Sequence, residues 1–128
     1  MSKRPLTVTI VGCFFILVGI GSLGHGIWRF VGGMAHAGPP DGVRHQVLDV
    51  SLVVVSALLA GAGGAFMLRE RNWARWLVLA WMGAHVVLSL LHSPWQVALH
   101  GVFFAALLFL LTRAEVSAYF SATRSEST

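Results

Sequence analysis

Apolar residues fill four long stretches of this chain and leave only short polar segments between them. The stretches contain 17 to 23 residues each, and they are Leu6–Trp28, Gln46–Leu68, Trp76–His92 and Trp95–Leu111. A helix that crosses the ~30 Å hydrocarbon core of a bilayer needs about 20 largely apolar residues. The pattern therefore predicts an integral membrane protein in which residues 1–128 form a single domain with four transmembrane helices.

Lysine and arginine residues are distributed unevenly between the two ends of the predicted helices. Of the nine, only Arg29 and Arg44 flank one end. The others flank the opposite end, and these are Lys3, Arg4, Arg69, Arg71, Arg75, Arg113 and Arg124. Positive residues accumulate on the cytoplasmic side of membrane proteins. We therefore expect a multi-pass protein of the bacterial cytoplasmic (inner) membrane, with both termini and the Leu68–Trp76 loop in the cytoplasm and the Arg29–Arg44 loop outside.

The overall composition agrees with membrane insertion. Hydrophobic residues make up 56% of the chain and charged residues 11%, against roughly 45–50% and 25% in soluble proteins. The isoelectric point of about 10.7 follows from the positive-inside distribution, so the expected partner is the lipid bilayer with its anionic headgroups, and not nucleic acid. Cys13 is the only cysteine, which excludes an intrachain disulfide and a cysteine-based metal site.

The N-terminal segment shares two features with a secretory signal peptide. Residues Met1–Arg4 are basic and precede an apolar run, and Ala35-His36-Ala37 has the small-residue spacing of a cleavage site. However, the run Leu6–Trp28 is longer than the roughly 7–15 apolar residues of a signal sequence. We therefore expect a signal anchor that is retained as the first transmembrane helix.

Turn and capping residues separate the predicted spans. The run Gly38-Pro39-Pro40-Asp41-Gly42 predicts an outer turn before the second helix, and Asn72 is a candidate cap for the third. Ser93-Pro94-Trp95-Gln96 combines a serine N-cap, a proline at the first helical position and a glutamine at the third. The third and fourth helices should therefore be antiparallel neighbours.

A similar pattern follows the last span. Thr112-Arg113-Ala114-Glu115 has the spacing of a capping box. Apolar residues then recur at helical spacing, at Val116, Tyr119 and Phe120. The pattern predicts a short interfacial helix, followed by a disordered polar tail over Ser121–Thr128.

Small residues recur at four-residue intervals in the first two spans. The first span carries Ser22 and Gly26, and the second carries Ala57, Gly61 and Ala65. Such spacing allows two transmembrane helices to pack closely. We therefore expect the first and second helices to pack against each other. The same surfaces also suit a homo-oligomer or a membrane-protein partner.

Six histidines cluster toward the predicted outer end of the helices. Three of them lie in or beside the outer loops: His36, His45 and His92. The other three lie within the predicted spans, namely His25 near the outer end of the first helix, His85 in the third and His100 in the fourth. Asp49 is the only carboxylate within a span.

Asp49, His85 and His100 form the best candidate site, because ionisable residues inside a membrane usually face the bundle interior or a wet cavity. With His25 as a further ligand, these residues could bind a divalent metal such as Zn²⁺ through imidazole nitrogen and carboxylate oxygen. His85 and His100, at similar depth, could instead be the axial ligands of a haem cofactor. A chain of histidine and aspartate could also relay protons.

A structural role explains most of the six histidines more simply. Neutral histidine is tolerated near a bilayer interface and hydrogen-bonds between helices. The sequence contains no HExxH motif, phosphate-binding loop or nucleophile elbow that would indicate catalysis. We therefore expect most of the histidines to be structural or interfacial, and the protein to be no enzyme.

The two ends of the chain and its middle loop resemble a known group of proteins. The residues that carry the resemblance are Lys3-Arg4-Pro5 with Thr7 and Thr9, Asn72-Trp73-Ala74-Arg75-Trp76, and Arg113 to Glu115-Val116 with Tyr119-Phe120. In these segments the chain resembles small bacterial and archaeal four-helix membrane proteins of unassigned function. The resemblance implies their fold and no catalytic residues, and the outer histidines are not part of the pattern.

The sequence thus predicts an all-α fold, a four-helix transmembrane bundle with a short C-terminal interfacial helix. The expected function is that of a non-catalytic scaffold or accessory subunit in the membrane. The alternative is a metal, haem or proton-relay site built from histidines near the extracytoplasmic face.

Overall fold

The computed structural model describes residues 4–34 and 40–125, and all regular structure in this part of the chain is helical. The five helices are α1 (Leu6–Met34), α2 (Pro40–Leu68), α3 (Asn72–Ser89), α4 (Pro94–Thr112) and α5 (Ala114–Ser125). The predicted all-α fold is confirmed for these residues. The Ala35-His36-Ala37 motif, the Gly38-Pro39 part of the predicted outer turn, and both chain ends, residues 1–3 and 126–128, lie outside the described residues.

Three helices of the described chain are long and apolar enough to cross a membrane. They are Leu6–Gly33, Arg44–Leu68 and Pro94–Thr112, and they correspond to the first, second and fourth predicted spans. This pattern is compatible with a multi-pass membrane protein. α3 is not among them, because Asn72, Arg75 and His85 lower the mean hydropathy of its 18 residues. Of the four predicted spans, three are therefore helices with the length and hydropathy that a membrane crossing requires.

α1 and α2 extend beyond their predicted spans. Each contains 29 residues, since α1 continues from Trp28 to Met34 and α2 begins at Pro40 and not at Gln46. Proline suits the first helical turn, where its missing N–H has no helical partner, so the predicted turn does not extend past residue 40. Gln46 Nε2 donates to the carbonyl oxygen of Phe30 at 3.4 Å and links the extension of α1 to α2. At a rise of 1.5 Å per residue, α1 and α2 are roughly 15 Å longer than α3 and α4.

A seam of glycines joins α1 to α2. The seam residues of α1 recur every seven positions, and they are Gly12, Gly19, Gly26 and Gly33. Each faces α2, because a Cβ atom added there would meet atoms of that helix; on Gly19 it would lie 2.8 Å from the Ala57 carbonyl oxygen and from the Gly61 nitrogen. The predicted packing of the first two helices is confirmed.

The hydrophobic core lies toward one end of the bundle. α3 packs against α2 and α4, and α4 has a smaller contact with α1. All five helices supply buried apolar side chains: Val8, Val11, Phe15, Ala60, Met67, Ala74, Val78, Leu79, Met82, Leu107, Leu111, Val116, Tyr119 and Phe120. This end also holds Pro5 and the α2–α3 and α4–α5 turns. We call it the inner end, and the opposite one the outer end, in keeping with the predicted topology.

The helix starts confirm one capping prediction and correct two. Ser93 caps α4, because its hydroxyl accepts from the backbone nitrogen of Gln96 at 3.3 Å. Asn72 does not cap α3, since Arg71 occupies the N-cap position and Asn72 is the first helical residue. Thr112 does not cap α5, because its hydroxyl donates to the Leu108 carbonyl oxygen at 2.6 Å.

α5 is the predicted short C-terminal helix, but its apolar face is turned into the bundle. Val116, Tyr119 and Phe120 are all buried. Arg75 Nη1 of α3 donates to Ser117 Oγ at 3.2 Å, which ties α5 to the bundle. The helix therefore closes the inner end of the core, and it continues to residue 125, into the segment that the sequence predicted to be disordered.

Candidate ligand site in the outer half of the bundle

A layer of three polar side chains, Ser56, Trp81 and His85, connects α2 to α3. The Trp81 indole N–H donates to Ser56 Oγ at 3.0 Å, and His85 Nε2 lies 3.5 Å from the same oxygen. The Trp81 ring centre is 4.0 Å from that of His85 and 5.6 Å from that of Phe15 in α1, in an edge-to-face contact. This set, which we call the polar layer, lies on the outer side of the packed core.

A backbone hydrogen bond sets the tautomer of the neutral His85 ring. His85 Nδ1 lies 2.9 Å from the carbonyl oxygen of Trp81, one helical turn earlier. A carbonyl oxygen only accepts, so Nδ1 carries the proton of the neutral ring and Nε2 presents a lone pair. Ser56 then donates to Nε2 while it accepts from Trp81. The polar layer is thus a directed chain of hydrogen bonds that runs from the Trp81 indole through Ser56 and His85 to the Trp81 carbonyl oxygen.

A cavity of about 730 Å³ lies beside the polar layer, between α1, α2 and α3. We call it the larger cavity. Most of its lining is apolar and includes Leu52, Leu59 and Leu88. Its polar groups are few: Ser22 and His25 from α1, and the three members of the polar layer. The larger cavity is therefore an apolar space with a small number of hydrogen-bonding groups.

A second cavity of about 340 Å³ lies between α1, α3 and α4. Trp81 and His85 line this cavity as well, together with His100 and several aromatic rings, among them Phe14 and Phe103. The His85 side chain therefore borders both spaces.

His85 and His100, which were predicted to lie at similar depth, are neighbours. Their ring centres lie 6.2 Å apart. His100 Nδ1 lies 2.9 Å from the Gln96 carbonyl oxygen, so its Nε2 also presents a lone pair in the neutral ring.

The other two predicted ligands lie apart from this pair. His25 is exposed on α1 and lines the larger cavity. Asp49 is exposed on α2 and lines a different cavity, of about 410 Å³, with Arg29 and His45. Asp49 precedes Ser56 by seven residues, which places it about 10 Å further toward the outer end. Asp49 is therefore exposed beside Arg29 and His45, and it does not line the cavities that His85 and His100 border.

The described residues contain no group of three or more histidine, cysteine, aspartate or glutamate side chains that could hold a metal ion. The four residues predicted as metal ligands instead lie in three places. His85 and His100 are neighbours, His25 lies on the α1 side of the larger cavity, and Asp49 lies near the outer end of α2. A haem or proton-relay role for His85 and His100 stays a prediction.

Two residues of the polar layer, Ser56 and Trp81, were not among the predicted site residues. Ser56 is the one hydroxyl residue in the otherwise apolar run Leu52–Leu59 of α2. This isolation could have identified it as a candidate binding residue from the sequence. Trp81 is deeper than the other tryptophans, but its partner on another helix cannot be read from the sequence. Comparisons with protein-family models, with curated proteins and with solved structures found no match to this chain.

Proposed function

We propose that this chain is a four-helix integral membrane protein that binds a lipid-soluble molecule in its outer half and acts as a non-catalytic accessory subunit. In this proposal α3 is the fourth transmembrane helix, and both termini lie in the cytoplasm. The packing of α3 between two apolar helices, α2 and α4, supports its location at membrane depth.

The larger cavity carries the proposal. Its volume of about 730 Å³ lies within the roughly 300–1,000 Å³ of typical small-molecule sites, which are mostly apolar with a few polar groups. Protein interiors are close-packed, and an unfilled void forfeits dispersion contacts. The larger cavity opens on the bundle surface, where Leu52, Leu59 and Leu88 of its lining are exposed, so a molecule from the bilayer can enter and fill it.

Two glycines of α1 provide a matched test. A Cβ atom on Gly21 or on Gly24 would meet nothing within 4 Å, but only Gly21 lines the larger cavity. Gly21→Leu should therefore fill the cavity without a backbone clash, and Gly24→Leu is the control with the same change in helix propensity. The measurement is mass spectrometry of lipid-soluble molecules extracted from each purified protein.

The wild-type protein and Gly24→Leu should retain a compound in near-stoichiometric amount, and Gly21→Leu should lose it. Equal retention by the two variants, or no retained compound in the wild type, would overturn the proposal.

A scaffold role through protein contacts is a second candidate, and the exposure of α4 favours it. Only 11% of the apolar segment of α4 is buried in the bundle, against 28% of the corresponding segments of α1 and α2. Val102 is 72% exposed, so a helix of a second copy or of another membrane protein could pack there. In a Cys13→Ser background, Val102→Cys should then cross-link in membranes, whereas the buried Leu107→Cys should not. No cross-link at position 102 would mean that lipid covers this face.

A further inference from the structure

We infer that the bound molecule is a neutral ring compound of the lipid-quinone class, and that one of its ring oxygens hydrogen-bonds to Ser56 and His85. This inference rests on the proposed function and specifies the chemistry of its ligand.

The pair of recognition groups can both donate and accept. The Ser56 hydroxyl is the donor and His85 Nε2 is the acceptor, and their mutual distance of 3.5 Å is longer than a strong hydrogen bond. A ligand can therefore replace this contact at little cost. A quinone carbonyl would accept from Ser56, and the hydroxyl of the corresponding quinol would donate to His85 Nε2. The pair thus suits both forms of such a ring.

The lining of the larger cavity favours a neutral molecule. It includes no aspartate, glutamate, lysine or arginine within the described chain. An ionised headgroup in an apolar space without a permanently charged partner is very costly. Fatty acids and phospholipids are therefore poor candidates for the polar end of the site, and a neutral carbonyl or hydroxyl is favoured.

The shape of the site favours a ring with an apolar tail. The Trp81 indole lines the cavity next to Ser56 and His85, and aromatic rings stack on such a surface. Leu52 and Leu88 line the same cavity and are exposed on the bundle surface. A tail can therefore leave between α2 and α3 into the bilayer while the ring stays at the polar layer.

The test uses decylubiquinone, a quinone with a ten-carbon tail, and decylbenzene, which has a tail of the same length on a ring without oxygens. Binding to the full chain in lipid nanodiscs is measured by equilibrium titration. Decylubiquinone should bind the wild type more tightly than decylbenzene. Removal of one hydrogen-bonding group, in Ser56→Ala or His85→Leu, should weaken decylubiquinone binding about 2- to 12-fold.

Each variant has a matched control. Ser51 also lies on α2, and its hydroxyl donates to the Val47 carbonyl oxygen. His92 has its Nδ1 3.0 Å from the Leu88 carbonyl oxygen, as His85 has with Trp81. Neither residue lines the larger cavity, so Ser51→Ala and His92→Leu should leave decylubiquinone binding unchanged. Ser56→Thr keeps the hydroxyl and should therefore retain decylubiquinone binding. Together with Ser56→Ala it tests the serine contact independently of how well His85→Leu folds.

The outcomes separate this inference from the proposed function. If both probes bind equally well, and Gly21→Leu abolishes both while Ser56→Ala changes neither, the cavity binds apolar molecules and the quinone inference is wrong. If neither probe binds the wild type, the inference is overturned, and the retention experiment on Gly21→Leu decides the proposed function independently.

Discussion

Gly19 of α1 lies directly against the backbone of Gly61 in α2, and the contact is asymmetric. A Cβ atom on Gly19 would lie 2.8 Å from the Gly61 nitrogen, whereas a Cβ atom on Gly61 would lie 3.9 Å from the Gly19 Cα atom. The first contact would force two backbones apart and the second is ordinary van der Waals contact. The same methyl group should therefore destabilise the protein on the α1 side of the seam and be tolerated on the α2 side.

Gly19→Ala is expected to lower the free energy of unfolding by about 1–3 kcal/mol, because backbone atoms cannot move aside as a flexible side chain could. Gly61→Ala should leave stability unchanged or raise it by up to about 1 kcal/mol, since alanine is the better helix former. Thermal unfolding in detergent, followed by circular dichroism, measures both. Equal effects of the two variants would contradict the asymmetry of the seam.

The Trp81–Ser56 hydrogen bond should be detectable as an energetic coupling between α2 and α3. Trp81→Phe keeps an aromatic ring beside Phe15 and removes the indole N–H, and Ser56→Ala removes its acceptor. A double-mutant cycle of these two changes should give a coupling of about 0.6 kcal/mol, the average for polar contacts inside membranes. Strictly additive effects would show that the contact contributes nothing to stability.

Stability should fall at high pH because of Tyr119. Burial raises the pKa of the Tyr119 hydroxyl above its ordinary value and Glu70 raises it further, while Arg4 opposes them. The folded state thus favours the neutral phenol. This contribution is fully present below the unfolded value of about 10 and is lost as the pH rises through the folded-state pKa.

Tyr119 is the only tyrosine of the chain, so ultraviolet absorbance of tyrosinate reports its ionisation directly. The unfolding temperature of the wild type should decrease above pH 10, and that of Tyr119→Phe should decrease less. A Tyr119 titration at or below the ordinary pKa would contradict the burial of this side chain between α5 and the rest of the bundle.

Asp49→Asn should have little effect on the protein. The side chain is exposed on α2, and surface substitutions usually change stability by no more than about 0.5 kcal/mol. Decylubiquinone binding should also be unchanged, because Asp49 does not line the larger cavity. A marked loss of stability or of binding in this variant would show that the carboxylate acts inside the bundle.

The topology prediction can be tested with single cysteines in a Cys13→Ser background. A membrane-impermeant maleimide applied to intact cells should label Gly38→Cys, and it should label Ser125→Cys only after the membrane is opened. The expectation follows from the excess of positive residues at the inner end. Labelling of position 125 from outside, or protection of position 38, would contradict it.

Local signals in the sequence were sufficient for the helices and for several of their contacts. Hydropathy identified the helical segments because a helix in contact with lipid and with other helices must be apolar along most of its length. Ser93 identified the start of α4 because an N-cap side chain binds the backbone only three residues further along the chain. Small residues such as Gly26 and Gly61 indicated the α1–α2 contact. The seven-residue repeat of glycines along α1 is also visible in the sequence, and it indicates that the contact with α2 extends along most of both helices.

By itself, the sequence determined an all-helical chain with apolar segments of membrane length, because hydropathy and capping depend on neighbours within a few residues. Only the tertiary structure decided that α5 packs its apolar face into the core, that Asp49 lies apart from His85 and His100, and that Ser56, Trp81 and His85 form one layer. These relationships depend on the rotation and offset of packed helices. Rotation and offset follow from side-chain contacts between residues far apart in the chain, which no local pattern specifies.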